Sequence, residues 1–267
     1  MKNIKIIVGF IFATALTSCE KVIDVDLKNV EPKIVIEGIV DNSGRPAMVK
    51  ITKSVSFSNT AAAPTVSGAI VKITNDAGSV FTLAETATGK YTNASLQGQV
   101  GKSYTLTVQN AGVTYMAKST IPRPAPIDTI YQETVQLPTI TPGAATSNGK
   151  IVSLVYTDIV GFGDNAHVVQ TINGNVDNTL IVGDDQFADA GNTPFQLYPN
   201  KNTKLKTGDI VKVELRFIDK TIFRYLLGIQ EIQQGNSVPA NPDSNFSGGC
   251  LGFFSAHTSE TKTIVIK

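Results

Sequence analysis

The chain has 267 residues with 23 basic and 22 acidic side chains, two histidines, two cysteines and no tryptophan. A near-balanced charge without a basic patch excludes a nucleic-acid binder. The length supports two modest domains, each with its own core.

Lys2 and Lys5 form a positive n-region, and residues 6–16 are an apolar run broken only by Gly9 and Thr14. A membrane-spanning helix needs about 20 apolar residues. This run stops short at Thr17, Ser18, Cys19 and Glu20, so residues 1–18 are predicted to be a signal peptide that is cleaved. Leu16-Thr17-Ser18-Cys19 resembles the lipobox of bacterial lipoproteins, whose cysteine is acylated, palmitate included, and becomes the new N-terminus. The resemblance implies lipid attachment at Cys19, and acyl chains at about 0.8 kcal/mol per buried methylene hold a protein stably on a bilayer. Cleavage removes two positive charges from a formal +1. With Cys19 taken by lipid, Cys250 is the remaining thiol and no intramolecular disulfide forms. Cys250 lies among Gly248, Gly249, Leu251, Gly252 and Phe253 with no basic neighbour, and reads as a small buried hydrophobe rather than a nucleophile.

Residues 19–32 are predicted to be a lipidated tether, in which Glu20, Asp24 and Asp26 recur among aliphatics before Pro32. The same alternation also fits a first edge strand. From residue 33 the chain becomes short β runs separated by turns. Residues 33–40 are nearly all apolar, as in a central strand, while 47–52, 69–74 and 102–109 alternate as half-buried strands do. Asn75-Asp76-Ala77-Gly78 and Asn110-Ala111-Gly112 supply the Gly and Asx residues of tight hairpins, and 113–119 completes the second. Val49-Lys50-Ile51-Thr52 recurs as Val71-Lys72-Ile73-Thr74, but two copies with unlike flanks do not make a repeat array. Residues 33–121 are predicted to form an immunoglobulin- or transthyretin-like β-sandwich. The run from Ala69 to Ile73, then Gly89-Lys90-Tyr91 and Tyr104 to Val108, resembles transthyretin-like and carboxypeptidase-regulatory-like sandwiches.

Pro122, Pro124 and Pro126 fix φ and remove donors, so 122–126 reads as a stiff linker. Asp128-Thr129-Ile130 resembles a short O-glycosylation motif of Bacteroidota, which makes Thr129 the acceptor position. Residues 127–267 are predicted to be a second β domain, with strands at 129–135 and 150–157 flanking a Pro/Thr/Gly/Ala-rich surface loop. In residues 209–218, Val211, Val213, Leu215 and Phe217 alternate with Lys212, Glu214 and Arg216, which places one face on a core and one in water. After Asp219, a fitting N-cap, Ile222, Phe223, Leu226, Leu227 and Ile229 follow helical spacing to Gly235, giving one amphipathic helix near 221–234. The expected fold is therefore mainly β, two sandwich-like domains in tandem, the second carrying the helix.

Cys19-Glu20-Lys21, Pro32 to Gly38, Asp184-Asp185 with Phe187, Tyr225-Leu226 and Asn245 to Ala256 together resemble an uncharacterised family of Bacteroidota outer-membrane lipoproteins associated with TonB-dependent receptors. The resemblance implies an accessory role, a place at the outer membrane facing the surface or the periplasm, and no catalytic residues. The chain departs from the family pattern at Cys250 and in residues 159–166.

Only His167 and His257 are available for general-base or zinc work, and no Gly-x-Ser-x-Gly or His-Glu-x-x-His motif occurs. Each reads as a structural or surface histidine, so no catalytic residue, metal or cofactor is assigned. Asp184, Asp185 and Asp189 offer oxygens of the kind Ca²⁺ takes but lack the spacing of an EF-hand, and Asp158 and Asp164 are weaker still. The expectation is a lipid-anchored accessory protein that assists a TonB-dependent receptor by contact, substrate capture or both. The alternative is a stand-alone adhesin or ligand-binding lipoprotein.

Overall fold

The computed structural model describes residues 31–55, 61–137, 147–158, 160–161, 163–184, 194–200, 203–235 and 241–267. The expected leader, Cys19 and most of the tether lie outside the described residues, as do Asp185 and Asp189. Pro32–Lys267 form one unit, mainly β, with large barrel-like sheets.

Seven strands come from the first half of this unit: β1 (Ile34–Asp41), β2 (Ala47–Lys53), β3 (Ile70–Asn75), β4 (Val80–Ala87), β5 (Lys90–Asn93), β6 (Ser103–Asn110) and β7 (Val113–Thr120). Late in the chain come β15 (Phe246–Ser247) and β16 (Leu251–His257). Together these nine make one sheet in the order β15-β7-β6-β3-β4-β5-β2-β1-β16. The sheet bends at β4, whose residues 80–83 pair with β3 and whose residues 84–87 pair with β5. Its two end strands, β15 and β16, are joined through Gly248, Gly249 and Cys250, so a single late segment draws the sheet towards closure.

The inward residues follow the two-residue period of a strand. Ile36, Val49, Ile51, Val71, Ile73, Tyr104, Leu106 and Val108 form the first core with Phe246, Cys250, Phe254 and Ala256. Gly38 leaves the space in which Leu106 and Phe254 meet, since a Cβ there would stand 2.8 and 2.9 Å from them. The first core thus draws on residues far beyond Pro122 to Pro126, and the division into tandem sandwiches at that segment is not clean.

The remaining strands are β8 (Ile127–Leu137), β9 (Ser147–Tyr156), β10 (Asn165–Ile172), β11 (Asn175–Val176), β12 (Ile181–Asp184), β13 (Phe195–Leu197), β14 (Ile210–Ile218) and β17 (Glu260–Val265). One sheet runs β11-β10-β14-β17 with β12 on the free half of β10; the other runs β13-β9-β8. Val152, Leu154, Val168, Leu197, Val211, Val213, Leu215 and Phe217 pack between them as a second core. Tyr156 stands edge-on to Phe217 at 5.4 Å.

The helix α1 (Lys220–Gln233) follows β14 directly. Asp219 caps it, accepting from the backbone N–H of Thr221 and Ile222 at 3.0 Å each. Gly235, at φ +73°, ends it. Ile222, Phe223 and Leu226 form its buried stripe, packed with Leu180, Val182 and Phe253. The helix touches β10, β12 and β16, so it covers ground where both sheet systems meet.

Candidate functional site

Where the chain passes from the first sheet into the second, charged and polar side chains collect, with Asp41, Glu214, Ser255, His257 and Thr258 buried and Arg45 reaching them from an exposed turn. His257 is the last residue of β16 and pairs across the sheet with Asp41 at the end of β1. Glu260, three residues on, pairs with Leu215 of β14 in the other sheet. The step between them is fixed by short bonds. Thr258 N–H donates to the Phe217 carbonyl at 3.1 Å, Phe217 N–H donates to Thr258 Oγ1 at 3.0 Å, and Ser259 N–H donates to Asn42 Oδ1 at 2.8 Å.

Glu214 is the hub of this seam and only 5% exposed. It accepts from Arg45 Nη2 at 2.6 Å, Ser259 Oγ at 2.6 Å, and Arg216 Nε and Nη2 at 3.0 and 2.9 Å. The β1–β2 turn supplies the reach. Asp41 accepts from Ser43 N–H and Oγ at 2.8 and 2.6 Å, and its other oxygen accepts from Arg45 Nε at 2.9 Å. Burial pushes the Glu214 carboxyl up, but hydrogen bonds from Arg216 and Arg45 outweigh it and hold the group well below the usual carboxylate range. Two carboxylates and two guanidinium groups therefore balance one another. The buried Glu214–Arg216 pair contributes little net stability against an apolar filling, yet removing Arg216 leaves a largely buried charge at a cost of about 3–5 kcal/mol, whereas Arg45, 46% exposed, is screened by solvent and matters less.

Both histidines belong to this seam. His167 lies on β10 opposite Arg216, and His257 faces the same arginine from β16. Burial first, then the positive charge of Arg216, pushes each imidazole down to about 3. His257 Nδ1 and Ser255 Oγ are 2.9 Å apart, both residues almost wholly buried. Among the described residues, His257 Nε2 has no hydrogen-bond partner. This is a hydroxyl–imidazole pair without the carboxylate that would orient a general base, and without exposure to a substrate.

The other candidate positions lie apart from the seam. Thr129 is exposed on β8, beside the bulge at which pairing with β9 skips a residue. Asp184 ends β12 opposite Asn165. Asp164 receives Arg123 Nη2 at 3.1 Å, so a guanidinium already faces that carboxylate. Among the described residues, no group of three or more His, Cys, Asp or Glu is arranged to hold a metal ion. Burial pushes the Cys250 thiol up to about 11. A surface cleft of about 360 Å³ lies between the β3–β4 turn and the loop before β6, with Phe81 and Tyr104 beneath Asp76, Gln97, Gln99 and Lys102.

Sequence reasoning singled out His167 and His257 but not Asp41 or Arg45, and it assigned Glu214 and Arg216 to the water-facing side of a strand. The alternation was read correctly, but the polar face of β14 at that level is covered by the β1–β2 turn and the 257–259 step. Arg45 and Glu214 are 169 positions apart, so no local signal joins them.

No match was found among the curated proteins compared with the chain. Against family models, residues 20–263 match the domain of unknown function DUF4249, and the chain belongs to that family.

Proposed function

We propose that this DUF4249 member is a lipid-anchored accessory protein of the outer membrane that assists a TonB-dependent receptor by contact, substrate capture or both, without catalysis of its own. The order of features carries the reading: a basic and apolar leader, Leu16-Thr17-Ser18-Cys19, and then a folded unit that begins at Pro32. About a dozen residues separate anchor from fold, a span of at most about 45 Å when fully extended. A body held that close to the bilayer meets membrane partners before soluble ones. The two sandwich-like halves, the first of them transthyretin-like in its strand pattern, serve in this reading as a rigid scaffold, and the Bacteroidota origin and surface-facing orientation come with it. The test is purification of the tagged protein in mild detergent. A receptor barrel is expected to co-purify, and Cys19→Ala is expected to leave the membrane fraction; repeated recovery without a barrel would overturn the receptor role.

The cleft under Asp76 and Lys102 favours a second reading, a stand-alone adhesin or ligand-binding lipoprotein. That reading predicts direct ligand binding by the soluble form in the absence of any receptor.

A further inference from the structure

We infer that the seam around His257 is an acid-labile joint, at which proton uptake by its two histidines loosens the crossing of the chain from the first sheet to the second. The geometry is that of a closed electrostatic set. From β1 comes Asp41, from the β1–β2 turn Arg45, from β14 Glu214 and Arg216, from β10 His167, and from β16 Ser255 and His257. The two acids and two arginines already cancel, and both imidazoles are neutral in that arrangement. A proton on either histidine adds a positive charge near Arg216, which is itself only 16% exposed, and burial disfavours that charge. His257 Nε2 meets no hydrogen-bond partner among the described residues, so no bond at that nitrogen offsets the added charge.

The consequence falls on the joint because of what His257 is attached to. Thr258 and Ser259 alone connect β16 with β17, and they carry the bonds to Phe217 and Asn42. Displacing His257 pulls on the closing strand of one sheet and on an outer strand of the other. Glu214 does not compete in the same window, since its arginine partners keep it ionised far into acid.

The unfolded chain binds a proton on each histidine below about 6.5, while the folded chain does so only near 3. Unfolded molecules therefore hold more protons throughout that window, and stability falls as pH falls through it and levels out below about 3. Between pH 8 and pH 5 the unfolding constant is expected to rise about 30-fold for each histidine. The test is hydrogen exchange on the purified protein at pH 7.5 and 5.5, corrected for intrinsic rates. Amides of Phe217, Thr258 and Ser259 are expected to lose about tenfold in protection for each histidine that their opening frees, and His257→Gln is expected to remove one such factor. No loss of protection at those three amides, or an unchanged loss in both His257→Gln and His167→Gln, would overturn the joint. Should those variants fail to fold, imidazole signals of the unaltered protein decide the matter. Resonances that stay unprotonated to about pH 4 support the joint, and titration near 6.5 overturns it.

Discussion

Gln170 is 1% exposed on β10, and neither end of its amide meets a hydrogen-bond partner among the described residues. It points where Val168 points, into the apolar filling between the two sheets of the second half. A buried amide left unpaired costs about 1–3 kcal/mol, whereas an apolar side chain of the same length adds contacts without that cost. Gln170→Met is expected to raise stability by about 1–2 kcal/mol, read as a higher urea midpoint with an unchanged slope. Glu214 differs because both of its oxygens accept hydrogen bonds, and removal rather than retention would strand its partners. Residue type and burial alone do not separate these two cases; the partner geometry does.

At the scale of elements, two hairpins solve the same turn with different residues. The β6–β7 turn places Ala111 at φ +48° and Gly112 at +81°; the β10–β11 turn places Asn173 at +50° and Gly174 at +83°. Positive φ at both central residues matches the twist of the flanking strands and favours Asn-Gly. Alanine in that conformation bears a steric cost of about 1 kcal/mol that asparagine reduces. Ala111→Asn is therefore expected to raise the melting temperature by a few degrees, corresponding to about 0.5–1 kcal/mol. The late closing segment relies on side chains where no ladder forms. Asn245 pairs both backbone groups of Phe254, and Ser119 Oγ accepts from Ala256 N–H at 2.8 Å while donating to Asp219. Gly252 lets β16 lie against β1, since a Cβ there would stand 2.1 Å from the Ile36 carbonyl oxygen.

At the scale of the whole unit, strand order sets what can fold alone. β1 pairs in parallel with β16, and Phe254, in contact range of Leu106 through the space above Gly38, is fully buried in the first core. A chain ending at Arg123 lacks β15, β16 and Phe254, and leaves the β1 edge open. Loss of one buried phenylalanine costs about 3–5 kcal/mol, a large part of a typical domain's 5–15 kcal/mol. The truncated chain is expected to show no cooperative thermal transition and to be digested under conditions that leave the whole protein intact. A stable, cooperatively melting fragment would show that the closing segment is dispensable.

Local pattern reached β1, β2, β3, β6, β7, β8, β9 and β14, the turns after β3 and β6, and the helix, because each depends on side chains within a few positions of one another. The alternation around Val211 to Phe217 became β14, and Asp219 and Gly235 became the ends of α1. The expected leader and lipid attachment at Cys19 likewise rest on local order, and the proposed function rests on them. What the sequence by itself could not determine was pairing across distance: the parallel register of β1 with β16, the crossing at Thr258 and Ser259, and the gathering of Asp41, Arg45, His167, Glu214, Arg216 and His257. Those contacts join residues whose neighbours in sequence carry no trace of one another. The polar face of β14 became a buried seam because the turn and the crossing segment cover it, and only the tertiary structure decides what covers a face.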